Sequence, residues 1–189
     1  MKCAVILAGG LSRRMGGPDK SLVDLDGQPM IGHVIARIAP QVDRLAINAT
    51  DPEGRFAPFG REVIPDDIPD RPGPLAGVLA AIGWARAQGA QSVLTVPTDC
   101  PFLPRDLWSR LDAAGGLAVA RSASGLHPVC ALWPIRHEAA IRTAILGGTR
   151  RMREVTSALG ARQVMFDDSP DPFFNVNTQG DLDIAARHL

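Results

Sequence analysis

The sequence predicts an α/β protein built on a mostly parallel, twisted sheet. Short apolar runs rich in β-branched residues alternate with amphipathic helical segments, the pattern of strands joined by right-handed crossovers. The first run, Cys3 to Ala8, is continuously apolar, as expected of a strand covered on both faces. Glycine and proline make 35 of 189 residues, and 16 of them fall in residues 9–29, 65–77 and 97–104, each stretch following a predicted strand. A chain of this length that is 46% hydrophobic can bury the core of one domain, and no repeat or linker divides it. One domain over 1–189 is therefore expected.

Each element has its own signal. Cys3 to Ala8 is a strand ended by Gly9 and Gly10. Pro29 suits the first turn of a helix that puts Met30, Val34, Ile35 and Ile38 on one face and stops before Pro40. Arg44 to Asn48 is the second strand, and Glu62 to Ile64 a short third closed by Pro65. Leu75, Val78, Leu79 and Ile82 mark a helix ending near Gly89. Ser92 to Val96 is the next strand and Pro104 to Ala113 the next helix. Beyond these, Leu117 to Ala120, Val129 to Trp133, Arg162 to Met165 and Phe173 to Val176 are predicted strands. His137 to Leu146, Met152 to Leu159 and Gln179 to His188 are predicted helices.

Composition narrows the function. Twenty basic residues balance 20 acidic ones, which removes the electrostatic footprint of a general nucleic-acid binder. Of those basic residues 18 are arginine, so the two lysines, Lys2 and Lys20, stand out. Cys3, Cys100 and Cys130 are odd in number and widely spaced, fitting neither a disulfide framework nor a thiolate zinc site. The N-terminal apolar run is too short for a signal peptide, and no stretch approaches a membrane span. A cytoplasmic protein is expected.

In open α/β sheets ligands bind beyond the carboxyl ends of the strands. The most informative such segment is LAGGLSRRMGGPDK, Leu7 to Lys20: four glycines, two adjacent arginines and a lysine directly after a buried strand. Backbone N–H groups released by glycine, with cationic side chains beside them, suit a polyphosphate. The spacing is neither that of a Walker A loop nor GxGxxG. Asp99, at the end of an apolar strand and followed by Pro101, is a carboxylate on a rigid support. Magnesium commonly takes one or two such carboxylates plus phosphates and waters.

These residues resemble the signature loop of nucleotidyltransferases with a Rossmann-like, GT-A-like fold, and specifically the molybdenum cofactor guanylyltransferases (MobA). The resemblance continues in order at PDDIPDRPGPLAG (65–77), TVPTDCPFLP (95–104) and FFNVNT (173–178), so it covers nearly the whole chain. It implies helices on both faces of the sheet, a nucleotide-binding half over about 1–105 and an acceptor-binding half over about 106–189. It also implies nucleotide contacts from Leu7, Ala8, Gly9, Gly10, Asn48 and Asp66, with Asp67 and Asp70 close enough to compete for the last role. Arg14 and Lys20 would face the phosphates as catalytic cations, and Asp99 would hold magnesium, with manganese as the alternative. Asn175 and Asn177 share a face if their segment is extended. By similarity one of them helps hold magnesium or the acceptor's phosphate, unless both only form a turn. His127 would stand near the acceptor or simply in a turn. Arg150, Arg151 and Arg153 would meet the acceptor or form a solvated helix face.

The implied reaction transfers GMP from GTP to the terminal phosphate of molybdopterin, with or without molybdenum bound, and releases pyrophosphate. Partners would be GTP, molybdopterin or Mo-molybdopterin, and molybdoenzymes or their chaperones, with no nucleic acid or membrane. Two competing readings are a cytidylyltransferase, or another small nucleotidyltransferase acting on a phosphorylated acceptor, and a non-catalytic nucleotide-binding or carrier protein.

Overall fold

The computed structural model describes residues 1–9, 20–66, 68 and 73–189. Strand β1 (Cys3–Leu7) is followed by two short strands, β2 (Asp24–Leu25) and β3 (Gln28–Pro29), which pair as a hairpin. Its turn is Asp26-Gly27, both with positive φ, 53° and 83°. That is the backbone a tight two-residue hairpin demands and an Asp-Gly pair accommodates. Helix α1 (Met30–Ile38) starts directly after Pro29 and buries Met30, Ile31, Val34 and Ile38.

Strands β4 (Arg44–Asn48) and β5 (Glu62–Ile64) precede α2 (Pro74–Ala87), which in turn leads to β6 (Ser92–Pro97) and α3 (Leu107–Ala114). The second half adds β7 (Ala118–Ser122), β8 (Gly125–Pro134), α4 (Glu138–Leu146), α5 (Met152–Ala158), β9 (Arg162–Met165) and α6 (Gln179–Ala186). Seven strands form one sheet in the order β5-β4-β1-β6-β8-β7-β9. Four of its pairings are parallel, and only β8 runs against both neighbours.

Because successive residues of a strand face opposite sides, the core has two layers. Ala4, Ile6, Ile47 and Val96 look toward α1 and α3. Cys3, Val5, Val93 and Val119 look toward α2, α4 and α5. Helices thus cover both faces, and α2 is buried at every position from Leu75 to Ile82 because it lies between the sheet and α4. No helix among the described residues is long and apolar enough to cross a membrane.

Two departures from the sequence-based expectation affect the site. Strand β8 begins at Gly125 rather than Val129, and its register with β7 shifts between Val119 and Ala120. Pro128 lies in that irregular stretch, where a residue without an N–H is tolerated. Phe173–Val176, predicted as a strand, is irregular. Pro170 and Pro172 cannot donate to a ladder, and the buried residues Phe173 and Val176 are three apart rather than two, so they enter two different clusters.

Candidate functional site

Parallel register aligns the carboxyl ends of four strands in one row. Leu7 pairs with both Asn48 and Pro97, and Asn48 pairs with Ile64. Everything just past that row faces a common space. Ala8 N–H donates to the Asn48 carbonyl at 2.8 Å, and Ala49 N–H to that of Ile64 at 3.1 Å, so the ladder extends one step further.

Asn48 is 2% exposed. Its amide nitrogen donates to the Ile64 carbonyl at 3.1 Å and to Asp66 Oδ1 at 2.9 Å. Both amide hydrogens are thereby used within the protein, so Asn48 acts first by orienting Asp66. The remaining Asn48 Oδ1 looks at the first turn of α2, where a Cβ on Gly77 would stand 2.4 Å from it and 3.2 Å from Leu7 Cδ2. Gly77 is therefore required for close approach. Gly73 serves differently: its φ of 88° turns the chain into α2, and a Cβ there would meet nothing within 4 Å. Pro74 takes the first helical position, as its fixed φ favours.

The other end of the row carries the charges. Lys20 opens a 3-10 turn over Lys20–Leu22, and its Nζ donates to Asp99 Oδ2 at 3.0 Å and to Asn177 Oδ1. Asp99 follows β6, which is tied to β8 from inside. Thr95 Oγ1 donates to the Val129 carbonyl at 2.7 Å and accepts from Trp133 Nε1 at 2.9 Å. The Asp99 carbonyl in turn accepts from Val176 N–H at 2.9 Å, bringing the 173–177 segment to the site.

Asn177 is held by the start of α6. The Asp181 carboxylate accepts from the N–H groups of Asn177 at 2.9 Å and Thr178 at 2.8 Å, completing a capping box with Thr178. Those backbone bonds, with Lys20 nearby, hold the Asp181 carboxyl below its ordinary value. The two asparagines do not act alike, because Asn175 Oδ1 accepts from Cys100 Sγ at 3.3 Å, away from Lys20. Cys100 is buried. A hydrogen bond with Cys130 and desolvation push its thiol well above the usual range, and its side chain packs in the core layer that holds Phe173.

A third group lies beside the site on the β7–β8 hairpin. Ser122 Oγ donates to Asp171 Oδ2 at 3.0 Å and lies 2.8 Å from His127 Nε2. With its single proton given to the carboxylate, Ser122 accepts from an Nε2-protonated imidazole. The His127 ring stacks on Phe173 at 4.5 Å between centroids. Burial lowers its pKa and Asp171 partly restores it, leaving it below the usual value. Serine, histidine and aspartate are present, but the hydroxyl points away from the base, so the group cannot generate a nucleophile. It fastens the 171–177 segment to the sheet.

Expected site residues Leu7, Ala8, Gly9, Lys20, Asn48, Asp66 and Asp99 thus gather at one edge, with Asn177 among them and His127 one layer behind. Gly10 and Arg14, with Asp67 and Asp70, lie outside the described residues. Asp181, Ser122 and Asp171 lie outside the sequence-based expectation and join the site only in the fold. T-x-x-D before an apolar stretch was a legible cap signal for Asp181. Asp171 had none, being 49 positions from Ser122.

The profile of the MobA-like NTP transferase domain matches residues 4–164. A molybdenum cofactor guanylyltransferase of Rhodopseudomonas palustris (strain BisB5) is 46% identical over 97% of this chain and 92% of its own. One from Acidiphilium cryptum (strain JF-5) is also 46% identical, over 96% and 92%. Among solved structures, molybdopterin-guanine dinucleotide biosynthesis protein A of Archaeoglobus fulgidus superposes with a TM-score of 0.78 at 25% identity, covering 100% of this chain and 98% of that one. On the match over residues 4–164 and these identities over nearly the whole chain, the chain belongs to the MobA-like NTP transferase family.

Proposed function

We propose that this chain transfers GMP from GTP to the terminal phosphate of molybdopterin, with or without molybdenum, yielding the guanine dinucleotide and pyrophosphate. The observation that carries it is the convergence of Lys20, Asp99 and Asn177 on one point at the end of the row that holds Asn48 and Asp66. The similarity to named guanylyltransferases supports the same reading.

The reaction needs little acid-base chemistry. A phosphate monoester has a second pKa of about 6, so the attacking oxygen is already largely unprotonated at neutral pH. It forms a new bond to the α-phosphorus of GTP while the α–β bridging bond breaks, and pyrophosphate leaves with that electron pair. Catalysis then rests on positioning and charge. The Lys20 ammonium offsets negative charge on the transferring group, and Arg14 is assigned the same task on the resemblance of its loop.

Asp66 gives a basis for base choice. Its carboxylate only accepts, and the edge of guanine carrying N1–H and the 2-amino group only donates, whereas cytosine presents N3 and O2 as acceptors on the equivalent edge. Asn48 fixes the carboxylate's direction, and Leu7, Ala8, Gly9 and Gly77 let the base approach the backbone.

The donor set fits magnesium, with manganese as the alternative. Asp99 Oδ2 and Asn177 Oδ1 are hard oxygens that already converge on a cation, the Lys20 ammonium. Asp99, with Asn177 beside it, would hold the ion, which would neutralise charge on the phosphate oxygens. We assign residues of about 1–105 to the nucleotide and about 106–189 to the acceptor within a single domain, acting in the cytoplasm.

Incubation with magnesium, each nucleoside triphosphate and molybdopterin, followed by product mass, tests the reading. A guanine dinucleotide with one pyrophosphate per product is expected. A cytosine dinucleotide would replace the assigned base, and no pyrophosphate release would leave a binding protein.

A further inference from the structure

The segments that carry Lys20, Asp99 and Asn177 share an apolar support. A cluster separate from the two main core layers holds Leu25, Met30, Phe102, Val176 and Ala185, with Phe174 and Leu182 packed against it. Leu25 lies five positions after Lys20, Phe102 three after Asp99, and Val176 directly before Asn177. Leu182 and Ala185 belong to α6, which also packs on β2. The helix therefore braces the same three stretches of chain that bring Lys20, Asp99 and Asn177 together.

Asn177 itself is exposed, so backbone bonds on either side fix it rather than packing. Before it, Val176 N–H donates to the Asp99 carbonyl at 2.9 Å. After it, the Asp181 carboxylate takes over. A capping box asks the third helical residue to accept only from the N–H of the cap residue, here Thr178 at 2.8 Å. The same Asp181 oxygen, Oδ2, also accepts from Asn177 N–H at 2.9 Å, one residue outside the helix. Asp181 therefore does more than the end of α6 requires. An asparagine side chain has two torsions, so once its backbone is fixed its Oδ1 is confined to a short arc, and that arc holds Lys20 Nζ. Among the described residues no hydrogen bond or ion pair joins Asp181 to Lys20 or Asp99, so its influence on them passes through Asn177.

We propose that Asp181 is a positioning residue for the reaction: by holding Asn177 it sets where the second hard oxygen beside Asp99 stands, and with it the affinity of the pair for a divalent cation. This rests on the metal role proposed for Asp99 and Asn177. A group that orients a metal ligand from behind governs affinity almost as strongly as the ligand, because a misdirected oxygen must be reordered each time the ion binds.

Manganese ion alone, added to the full-length protein without nucleotide, is a probe that needs no turnover, since the six-line resonance of the free ion is lost on binding. Asp181→Ala should weaken manganese binding about tenfold, the low end for losing a partner that orients a ligand. Thr178→Ala removes the other half of the capping box, whose bond to Asp181 N–H is exposed. It should lower the unfolding midpoint by about 2–4 °C and leave manganese affinity within a factor of about two. Asn177→Ala should also weaken binding about tenfold. The double variant of Asn177→Ala with Asp181→Ala should bind no more weakly than Asn177→Ala, because a residue that acts through another adds nothing once the other is gone. In turnover at subsaturating magnesium, Asp181→Ala should lower kcat about tenfold while the KM for GTP stays within a factor of about two. Parent-like manganese affinity in Asp181→Ala, additive losses in the double variant, or an equal loss in Thr178→Ala would overturn the proposal and leave Asp181 a helix cap. No manganese binding by the parent protein would remove the metal role and this proposal with it. Asp181-dependent binding without guanylyl transfer would uphold the proposal and sink the proposed function. Transfer with manganese binding indifferent to Asp181 would do the reverse.

Discussion

Lys20 Nζ stands 3.0 Å from Asp99 Oδ2 although 79 positions separate them. One of only two lysines in the chain closes onto the carboxylate that follows the central strand β6, and Asn177 meets the same ammonium. Their side chains remain 30% and 24% exposed, so the pair is accessible to a phosphate and contributes little to stability.

Lys20→Ala should therefore separate activity from folding. Loss of one preorganised electrostatic group typically lowers kcat about 10²–10³-fold. Exposed pairs of this kind are worth about 0–1 kcal/mol, so the unfolding midpoint should barely move. Pyrophosphate release and thermal unfolding check both halves, and near-normal release would remove Lys20 from the mechanism.

Two helical glycines should respond oppositely to alanine. At Gly77 the new Cβ would stand 2.4 Å from Asn48 Oδ1. Relieving that contact moves the side chain that orients Asp66, so Gly77→Ala should cost roughly 1–3 kcal/mol and weaken GTP binding. At Gly32 the nearest atom is Gln28 Cδ at 3.5 Å, an ordinary contact. Gly32→Ala should instead stabilise α1 by about 0.5–1 kcal/mol. Urea unfolding of both variants decides, and equal effects would contradict the close approach at Asn48.

Stability should fall on the acid side because of Asp171 and His127. Burial pulls the Asp171 carboxyl up, but Ser124, the Phe173 N–H at 3.0 Å, Ser122 and His127 together bring it below its ordinary value. Its contribution is then complete above the unfolded-state pKa of about 3.9 and is lost as pH falls through the lower folded value. The His127 pKa is also lowered, chiefly by burial, so protonation favours the unfolded chain once pH drops below about 6.5. Asp171→Asn should flatten the acid limb of a stability–pH curve; an unchanged limb would refute this account.

The three cysteines should resist thiol reagents in the folded protein. All are buried, burial raises the Cys3 thiol, and Cys100 lies well above its ordinary value. Only the thiolate reacts appreciably, so labelling with a chromogenic disulfide at neutral pH should wait for urea. Rapid labelling of one thiol in buffer would show an opening that the packing does not allow.

Strand and helix order was legible because apolar period is a local property. β1, β4, β6 and α2 each announced themselves in continuous or i, i+3, i+4 patterns. Asp26-Gly27 carries a hairpin signal of the same local kind, a dipeptide that accommodates positive φ at both positions. Phe173–Val176 differs for the complementary reason: its composition suits a strand, but no strand among the described residues pairs with it, and its residues enter two separate clusters.

The sequence by itself determined the α/β class, the turns that follow the strands, and the residue types a polyphosphate needs, with Lys20 and Asp99 among them. Tertiary structure decided how they act. It spent the Asn48 amide hydrogens on Ile64 and Asp66, sent Asn177 to Lys20 but Asn175 to Cys100, and turned the Ser122 proton toward Asp171. The physical reason is range. Backbone preference and apolar periodicity act over a few residues, whereas each of those hydrogen bonds joins groups that only sheet register and helix packing bring within 3.5 Å.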